Sequence, residues 1–572
     1  MSQPRAPADR ASVRRWVRPQ RLRRFRLMPP LGTGTLALAT ASFILAADNR
    51  SLWSAILHAT DIGSGRNPGF GIAILALVAA FLTLVLSLFA CCRHLFKPVL
   101  ILFLVGAAAS GYFMDVYGVV IDDTMLRNVA QTDAGEAGEL LGWGLLGRVF
   151  VAGILPAVLV ALTPLRRGPF WREALSRVAT PLFCLAVMAG AVVPFYKDFA
   201  LLVRNHRELR YLVNPTYPIW ALSQYAIATA KADDDGVVEP LGMDATRQEG
   251  ATVPRRKSAV ILVVGETARA DHFSLNGYGR DTNPELAAVP GVVSFRDVSA
   301  CGTSTAVSLP CMFSVLGRDS YDHDRAAATE NLLDVVTHAG VTVLWLENNS
   351  GCKGVCERIP TRHPDSAALP EVCTEGDCFD EALLHGLDRH LSAADGDVLV
   401  VLHQQGSHGP AYHKRYPAGF RRFLPECASN TPRDCSRAAI VNSYDNSILY
   451  TDHVLAKAIE VLRAHDAEYD SALLYVSDHG ESLGENGVYL HGFPYALAPR
   501  AQTHVPFLMW LSPAFRAAAG LDAGCVDARS RQPLSHDNLF DTMLGLFSIR
   551  TRVYTPTRDI LRPCRRTARV SG

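Results

Sequence analysis

The chain has 572 residues, of which 49% are hydrophobic and only 19% charged. That length supports two or three domains, and that apolar balance excludes a disordered chain or an ordinary soluble one. The net charge of +1 conceals an asymmetry: residues 1–27 carry nine Arg and one Asp, a net of +8, which leaves −7 for the rest. No comparable basic run follows, so a nucleic-acid-binding surface is not expected.

After the basic tail (1–28), five apolar stretches read as membrane spans at 31–48, 70–91, 98–117, 149–165 and 178–196. Stretches of this length cross a hydrocarbon core of ~30 Å at about 1.5 Å per residue. One alone would equally suit a buried helix; five in succession predict a five-helix transmembrane domain over 29–197. The 92–97 loop carries Arg93 and Lys97, and the 166–177 loop carries Arg166, Arg167, Arg172 and Arg177. The loops at 49–69 and 118–148 are less basic. Basic loops stay cytoplasmic, so five crossings from an inside N-terminus put everything after about 197 outside. In the outer 118–148 loop, Asn128, Thr132 and Glu136 stand at i, i+4 and i+8 and would share one helix face. That spacing suits a cationic lipid headgroup and a solvated face equally.

Residues 198–256 read as a bridge. Asn214-Pro215-Thr216-Tyr217-Pro218-Ile219-Trp220 interrupts any long helix and offers aromatics suited to a membrane interface. The stretch 231–256 is rich in Asp, Gly and charge and reads as a flexible surface link.

A second domain is expected over 257–562. Short apolar runs, Ala259–Gly265, Val341–Glu347, Asp397–His403, Ala472–Ser477 and His504–Leu511, alternate with helix-compatible segments. This predicts an α/β sheet with mostly parallel strands. Ligands collect at the carboxyl ends of such strands, and here those ends are chemically loaded. Glu266-Thr267 follows the first run and Asn348-Asn349 the second. Gln404-Gln405-Gly406-Ser407-His408 follows the third, and Asp478-His479-Gly480-Glu481 the fourth.

Glu266, Asp478 and His479 are a ligand set that suits Zn²⁺ with one position left open. His408 and His491 lie in Gly-containing turns and could bind a second metal or hold a phosphate. A nucleophile is sought in Cys301-Gly302-Thr303-Ser304-Thr305-Ala306-Val307-Ser308-Leu309-Pro310-Cys311, where a hydroxyl-rich turn follows a strand-like Val292–Val298. A hydroxyl at a helix N-terminus meets free N–H groups that also favour an anionic phosphate. The residue pattern alone does not separate Thr303, Ser304 and Thr305.

Of the 13 cysteines, Cys91, Cys92 and Cys184 lie in or beside the spans; the other ten follow residue 300. An even number in close pairs suits disulfides outside the cytosol. The local pairs are Cys301–Cys311, Cys352–Cys356, Cys373–Cys378 and Cys427–Cys435, which leaves Cys525 with Cys564. A Cys-rich zinc module is the competing reading, and the expected topology disfavours it.

The chain resembles the lipid A phosphoethanolamine transferases, the membrane family that includes polymyxin-resistance enzymes, from about residue 30 to 560. The resemblance is carried by Val264-Gly265-Glu266-Thr267-Ala268-Arg269-Ala270-Asp271, the Cys301–Cys311 segment, His403-Gln404-Gln405-Gly406-Ser407-His408-Gly409-Pro410, and Ser477-Asp478-His479-Gly480-Glu481-Ser482-Leu483-Gly484-Glu485-Asn486-Gly487. It implies an alkaline-phosphatase/sulfatase-like periplasmic domain on a bacterial inner-membrane anchor. It implies Zn²⁺ held by Glu266, Thr305, Asp478 and His479, with Thr305 as nucleophile and His408 and His491 beside the phosphate. It places Lys353, in Gly351-Cys352-Lys353-Gly354, near the phosphoethanolamine, and Asn128, Thr132 and Glu136 near the lipid donor. The implied reaction moves phosphoethanolamine from phosphatidylethanolamine to a lipid A phosphate, by a monomeric enzyme. The rivals are a phosphoethanolamine or phosphoglycerol transferase of the same fold acting on another periplasmic glycan or lipid acceptor, a sulfatase of that fold, and a non-catalytic membrane sensor. A formylglycine sulfatase would need a Cys-x-Pro-x-Arg turn, which Thr305-Ala306-Val307-Ser308-Leu309 lacks.

Overall fold

A computed structural model describes residues 28–60, 68–132, 137–138, 140–166, 168–232, 238–248, 256–374 and 377–566. Helix α1 spans Thr33–Ala47, α2 Pro68–Cys91, α3 Arg93–Tyr117, α4 Asp123–Ala130, α5 Trp143–Leu162 and α6 Trp171–Val192. Helices α2, α3, α5 and α6 are each long and apolar enough to cross a membrane. Ile72, Leu102, Val151 and Phe183 point outward from them and are more than half exposed, a surface that lipid covers at no cost.

The first expected span, 31–48, is shorter than the sequence suggested. Helix α1 has 15 residues, about 22 Å at ~1.5 Å per residue. It stops because Asp48 and Asn49 turn inward to polar partners. The buried Asp48 pairs with Arg148 at 3.2 Å, and Arg148 also reaches Asp115 at 3.2 Å. Asn49 donates to the carbonyls of Ile44 and Asn214. The chain then re-enters a helix at Arg50–Ala59.

The expected shared face of Asn128, Thr132 and Glu136 is also corrected. Asp122 caps α4 by accepting from Met125 N at 2.8 Å, but the helix ends at Ala130. Its last turn tightens, with Gln131 N bonding Asn128 O at 3.1 Å and Thr132 N bonding Val129 O at 3.3 Å. Gln131 N also keeps a four-residue bond to Arg127 O at 3.1 Å, so the helix frays across Gln131 and Thr132. Glu136 lies outside the described residues.

The second domain is built on an eight-stranded sheet. Its strands are β1 Lys257–Gly265, β2 Val292–Ser299, β3 Thr342–Glu347, β4 Thr361–Arg362, β5 Val398–His403, β6 Tyr469–Ser477, β7 His504–Leu511 and β8 Leu534–Ser535, in the order β8-β2-β7-β6-β1-β5-β3-β4. All pairs are parallel except those of β7, which runs antiparallel to both β2 and β6. β7 follows β6 without the long crossover helix that a parallel neighbour requires. Successive residues of β1 alternate between two cores: Val260, Leu262 and Val264 on one face, Ala259, Ile261 and Val263 on the other. Helix α7 (Thr305–Phe313) packs on the first face through Leu309, Met312 and Phe313. The long helix α9 (Arg437–Ala464) packs on the second through Ile440, Tyr444, Ile448, Leu455 and Ile459, beside α8 (Leu387–Ala393).

Part of the expected flexible link is instead laid against this domain. Thr246–Arg247 pairs with Ile549–Arg550, and Leu241 N donates to Glu330 at 2.8 Å. Residues 233–237 and 249–255 lie outside the described residues.

The two domains touch close to the strand ends. Leu490 packs into an aromatic cluster of the membrane domain with Tyr112, Tyr117, Val119 and Met125. A Cβ added at Gly492 would stand 2.6 Å from the Met125 methyl. Lys353 Nζ donates to Gln131 O at 2.9 Å.

Candidate metal and phosphate site

Parallel pairing of β1 and β6 sets Gly265 opposite Ser477. The next residues of each strand, Glu266 on one side and Asp478-His479 on the other, therefore emerge together. All three side chains are fully buried, and their ligand atoms lie within 4.8 Å of one another. His479 Nε2 stands 3.4 Å from Glu266 Oε1 and 3.3 Å from Asp478 Oδ2.

Hydrogen bonds fix each group facing inward. His479 Nδ1 is 3.0 Å from Gly480 O, which makes Nδ1 the protonated nitrogen and leaves Nε2 a lone pair toward the centre. Asp478 Oδ1 accepts from His479 N at 2.7 Å and Thr267 N at 3.3 Å. Glu266 Oε2 accepts from Asn349 Nδ2 at 2.7 Å. The remaining oxygens, Glu266 Oε1 and Asp478 Oδ2, are buried without a hydrogen-bond partner among the described residues. Two such carboxylate oxygens facing one imidazole lone pair in a dry site are the donor set of a divalent cation. Without a cation, burial and the charge of Asp478 push Glu266 up. Burial pushes Asp478 up to about 6 and His479 down to about 4.

Backbone shape supports this corner. A Cβ at Gly480 would fall 2.0 Å from Ala501 O. Gly406, at φ +55°, lies against the Glu266 backbone, where a Cβ would meet its carbonyl oxygen at 2.7 Å.

The structure separates the three hydroxyls that the sequence left together. Thr303 Oγ1 is committed to Phe493 O at 2.6 Å. Ser304 is the N-cap residue of α7. Thr305, at the first turn, has its Oγ1 3.0 Å from Glu266 Oε2 and 3.3 Å from His479 Nε2. The Cys301–Cys311 disulfide brackets this turn. Disulfides also join Cys352–Cys356, Cys373–Cys378, Cys427–Cys435 and Cys525–Cys564.

His408 and His491 stand at the same edge. The His491 ring centroid is 4.3 Å from that of His479 and 5.4 Å from that of His408. His491 Nδ1 lies 3.0 Å from Glu481 Oε2, and Tyr412 Oη donates to Glu481 Oε1 at 2.8 Å. Burial raises Glu481 to about 7. The sequence alone assigned Glu481 and Asn349 no role, although both sit in the loaded strand-end segments Asp478-His479-Gly480-Glu481 and Asn348-Asn349.

Lys353 is placed differently from the trio. Its backbone has φ +50° beside the Cys352–Cys356 bridge, and Nζ donates to Ser350 O at 2.7 Å and to Gln131 O. It thus sits at the seam between domains. Asn128 lies on α4, which packs beside α7. Thr132 lies just beyond α4, where its hydroxyl donates back to Asn128 O.

This arrangement can bind a cation, present an oxygen nucleophile and hold an oxyanion. Comparisons with known proteins show the family. The sulfatase family profile matches residues 258–549, and the profile of phosphoethanolamine transferases EptA/EptB matches residues 78–230. The chain is 40% identical over 549 residues to phosphoethanolamine transferase EptA of Salmonella typhimurium, covering 95% of this chain and 99% of that protein. It is 40% identical to phosphatidylethanolamine transferase Mcr-1 of Escherichia coli, covering 90% and 94%. The solved structure of the integral membrane lipooligosaccharide phosphoethanolamine transferase A from Neisseria meningitidis superposes with a TM-score of 0.89 at 38% identity, covering 94% of this chain and all of that one.

Proposed function

The chain belongs to the phosphoethanolamine transferase family, and on that premise we propose that it moves phosphoethanolamine from phosphatidylethanolamine to a phosphate of lipid A. The observation that carries the reading is the Thr305 hydroxyl at 3.0 Å from Glu266 inside the buried Glu266–Asp478–His479 trio. Those three residues, with Thr305, would hold Zn²⁺. When bound, zinc supplies a Lewis-acidic charge that makes a neighbouring hydroxyl a competent nucleophile at neutral pH.

The residues then divide the work. Thr305 passes its hydroxyl proton to Glu266 Oε2, 3.0 Å away, its Oγ1 attacks the donor phosphorus, a P–O bond forms, and the bond to the diacylglycerol oxygen breaks. His491, oriented by Glu481, gives that oxygen its proton. The phosphoethanolamine is left as an ester of Thr305. An oxygen of a lipid A phosphate next attacks the same phosphorus, and the bond to Thr305 breaks. His408 lies where it can hold the transferring oxyanion, and the free N–H groups at the start of α7 favour the same charge. Lys353, Asn128 and Thr132 line the approach of the donor headgroup; Glu136, expected with them, lies outside the described residues.

The topology follows from counting α1 as a fifth crossing, completed by residues flanking Thr33–Ala47. Leu31 pairs with Leu165, which places the start of α1 beside the end of α5, on the side of the basic loops. The membrane domain (29–197) then sits in the bacterial inner membrane, the bridge spans 198–256, and the catalytic domain (257–562) stands in the periplasm as part of a monomer. The product carries less net negative charge on the outer surface, so cationic peptides such as polymyxin bind it less. Mass spectrometry of lipid A from cells with and without the protein tests the proposal. A phosphoethanolamine addition only in the expressing cells is expected, and unmodified lipid A would overturn it.

A further inference from the structure

Away from the catalytic edge, a cleft of about 460 Å³ opens beside the edge strand β4. Its floor is apolar, made by Leu344 and Leu346 of β3 with Leu383 and Leu387. Its rim carries two guanidiniums, Arg362 and Arg389, and three imidazoles, His363, His385 and His390, from two chain segments. Among the described residues, the side chains of these five make no hydrogen bond or ion pair. Asp365, the acid among the described lining residues, accepts from Ala367 N at 3.1 Å through one oxygen and opposes part of that charge. His390 Nε2 is buried without a partner, and burial together with the Arg362 charge holds this imidazole below its usual range.

The cleft shares no residue with the trio or with the Thr305 turn. Leu344 and Leu346 face the core of α9, whereas Trp345 between them faces the core of α7. The cleft therefore lies on the opposite side of the sheet from the nucleophile helix. Two guanidiniums against one carboxylate leave this concavity net positive, and a concavity focuses such a field on an anion. Guanidinium pairs favour phosphate geometry because each presents a planar fork of donors. A cavity of this size holds a small organic molecule, and its leucine floor wants an apolar or ring-shaped part on that molecule.

We propose that this cleft is a second ligand site, which binds a phosphomonoester carried on a compact apolar or ring-bearing group. It is independent of the transfer reaction proposed above. The test is isothermal titration of the full-length, zinc-loaded protein in detergent with phenylphosphonate, which cannot be hydrolysed as an ester. Saturable binding is expected, weakened at least tenfold in Arg362→Ala/Arg389→Ala and persisting in His408→Ala/His491→Ala. Inorganic phosphate and benzoate should bind at least fivefold more weakly, and benzyl alcohol not at all. Arg389→Glu, at an exposed position, gives a second reading if the double variant melts early, and it too should abolish binding. Undiminished binding in both arginine variants, or loss in the histidine variant alone, would assign the signal elsewhere and overturn the site. Equal binding of benzoate would overturn the phosphate assignment, and equal binding of inorganic phosphate the role of the floor.

Discussion

Thr305 differs from its two hydroxyl neighbours by a single contact geometry, and the difference is testable. Thr305→Ala is expected to lower transfer by more than about 10³-fold, as loss of a covalent nucleophile does, with the melting temperature unchanged. Thr303→Ala should retain most activity, because its hydroxyl serves Phe493. Mass-spectrometric mapping of the phosphoethanolamine adduct checks both. Glu481 acts through His491, so Glu481→Gln is expected to lower kcat about 10–100-fold, leave the donor KM in place, and alter the kcat–pH profile. A merely structural role would move the melting temperature and spare the profile. Chelation with EDTA should abolish transfer and lower the melting temperature, with both recovered on adding zinc, since a ligand of the native state alone stabilises it. At this scale the sequence was largely readable. Residue type and position after an apolar run were enough to single out Glu266, Asp478 and His479. They were not enough to choose among Thr303, Ser304 and Thr305, because which hydroxyl faces the trio depends on how α7 docks on the sheet.

Strands and helices carry a second set of expectations. The buried Asp452 of α9 accepts from the backbone N–H groups of Glu285 and Leu286 at the start of the short helix Pro284–Ala288. Burial raises its pKa from 3.8 to about 7. A carboxyl raised in the folded state binds more protons there than in the unfolded chain. Its contribution to stability is therefore greatest below pH about 4 and declines as pH climbs toward 7. The melting temperature of the wild type relative to Asp452→Asn should therefore fall as pH climbs from about 4 to about 7, as read by calorimetry. The Cys301–Cys311 loop is expected to contribute about 2–4 kcal/mol. Cys301→Ser/Cys311→Ser should show that loss in denaturant and a larger loss of transfer, because the same loop presents Thr305. The apolar runs located β1, β3, β5, β6 and β7 within a few residues, since strands buried on both faces are continuous hydrophobic stretches. Direction was less legible: nothing in His504–Leu511 itself says that it runs against its neighbours. The end of α4 was missed for a similar reason, as the tightening of its last turn is a backbone choice that side-chain spacing does not record.

Across the whole molecule, two bodies of opposite solvent preference meet at a small seam built from α4, Gln131, Lys353 and the Leu490–Gly492 turn. Lys353→Ala is expected to lower transfer about 10–100-fold, and Lys353→Arg to restore little of it, since an ammonium on a fixed loop is replaced by a bulkier fork. Zinc content and membrane insertion should stay unchanged in both, as measured by metal analysis and carbonate extraction. The division into an apolar first third and an α/β remainder was plain from hydropathy. The seam was not, because its contacts join residues more than 200 positions apart. It has a mechanical side. Leu490 is anchored among membrane-domain aromatics, and the next residue is His491, which stands against His479. The turn is held in the left-handed region at both Leu490 (φ +62°) and Gly492 (φ +87°), so it has little slack. If His491 carries the leaving-group proton as proposed, a shift of the soluble body away from the membrane helices would pull on that imidazole through the Leu490 anchor. On the proposed mechanism the seam would then work as a clutch, coupling proton transfer to the seating of the catalytic body on the membrane helices.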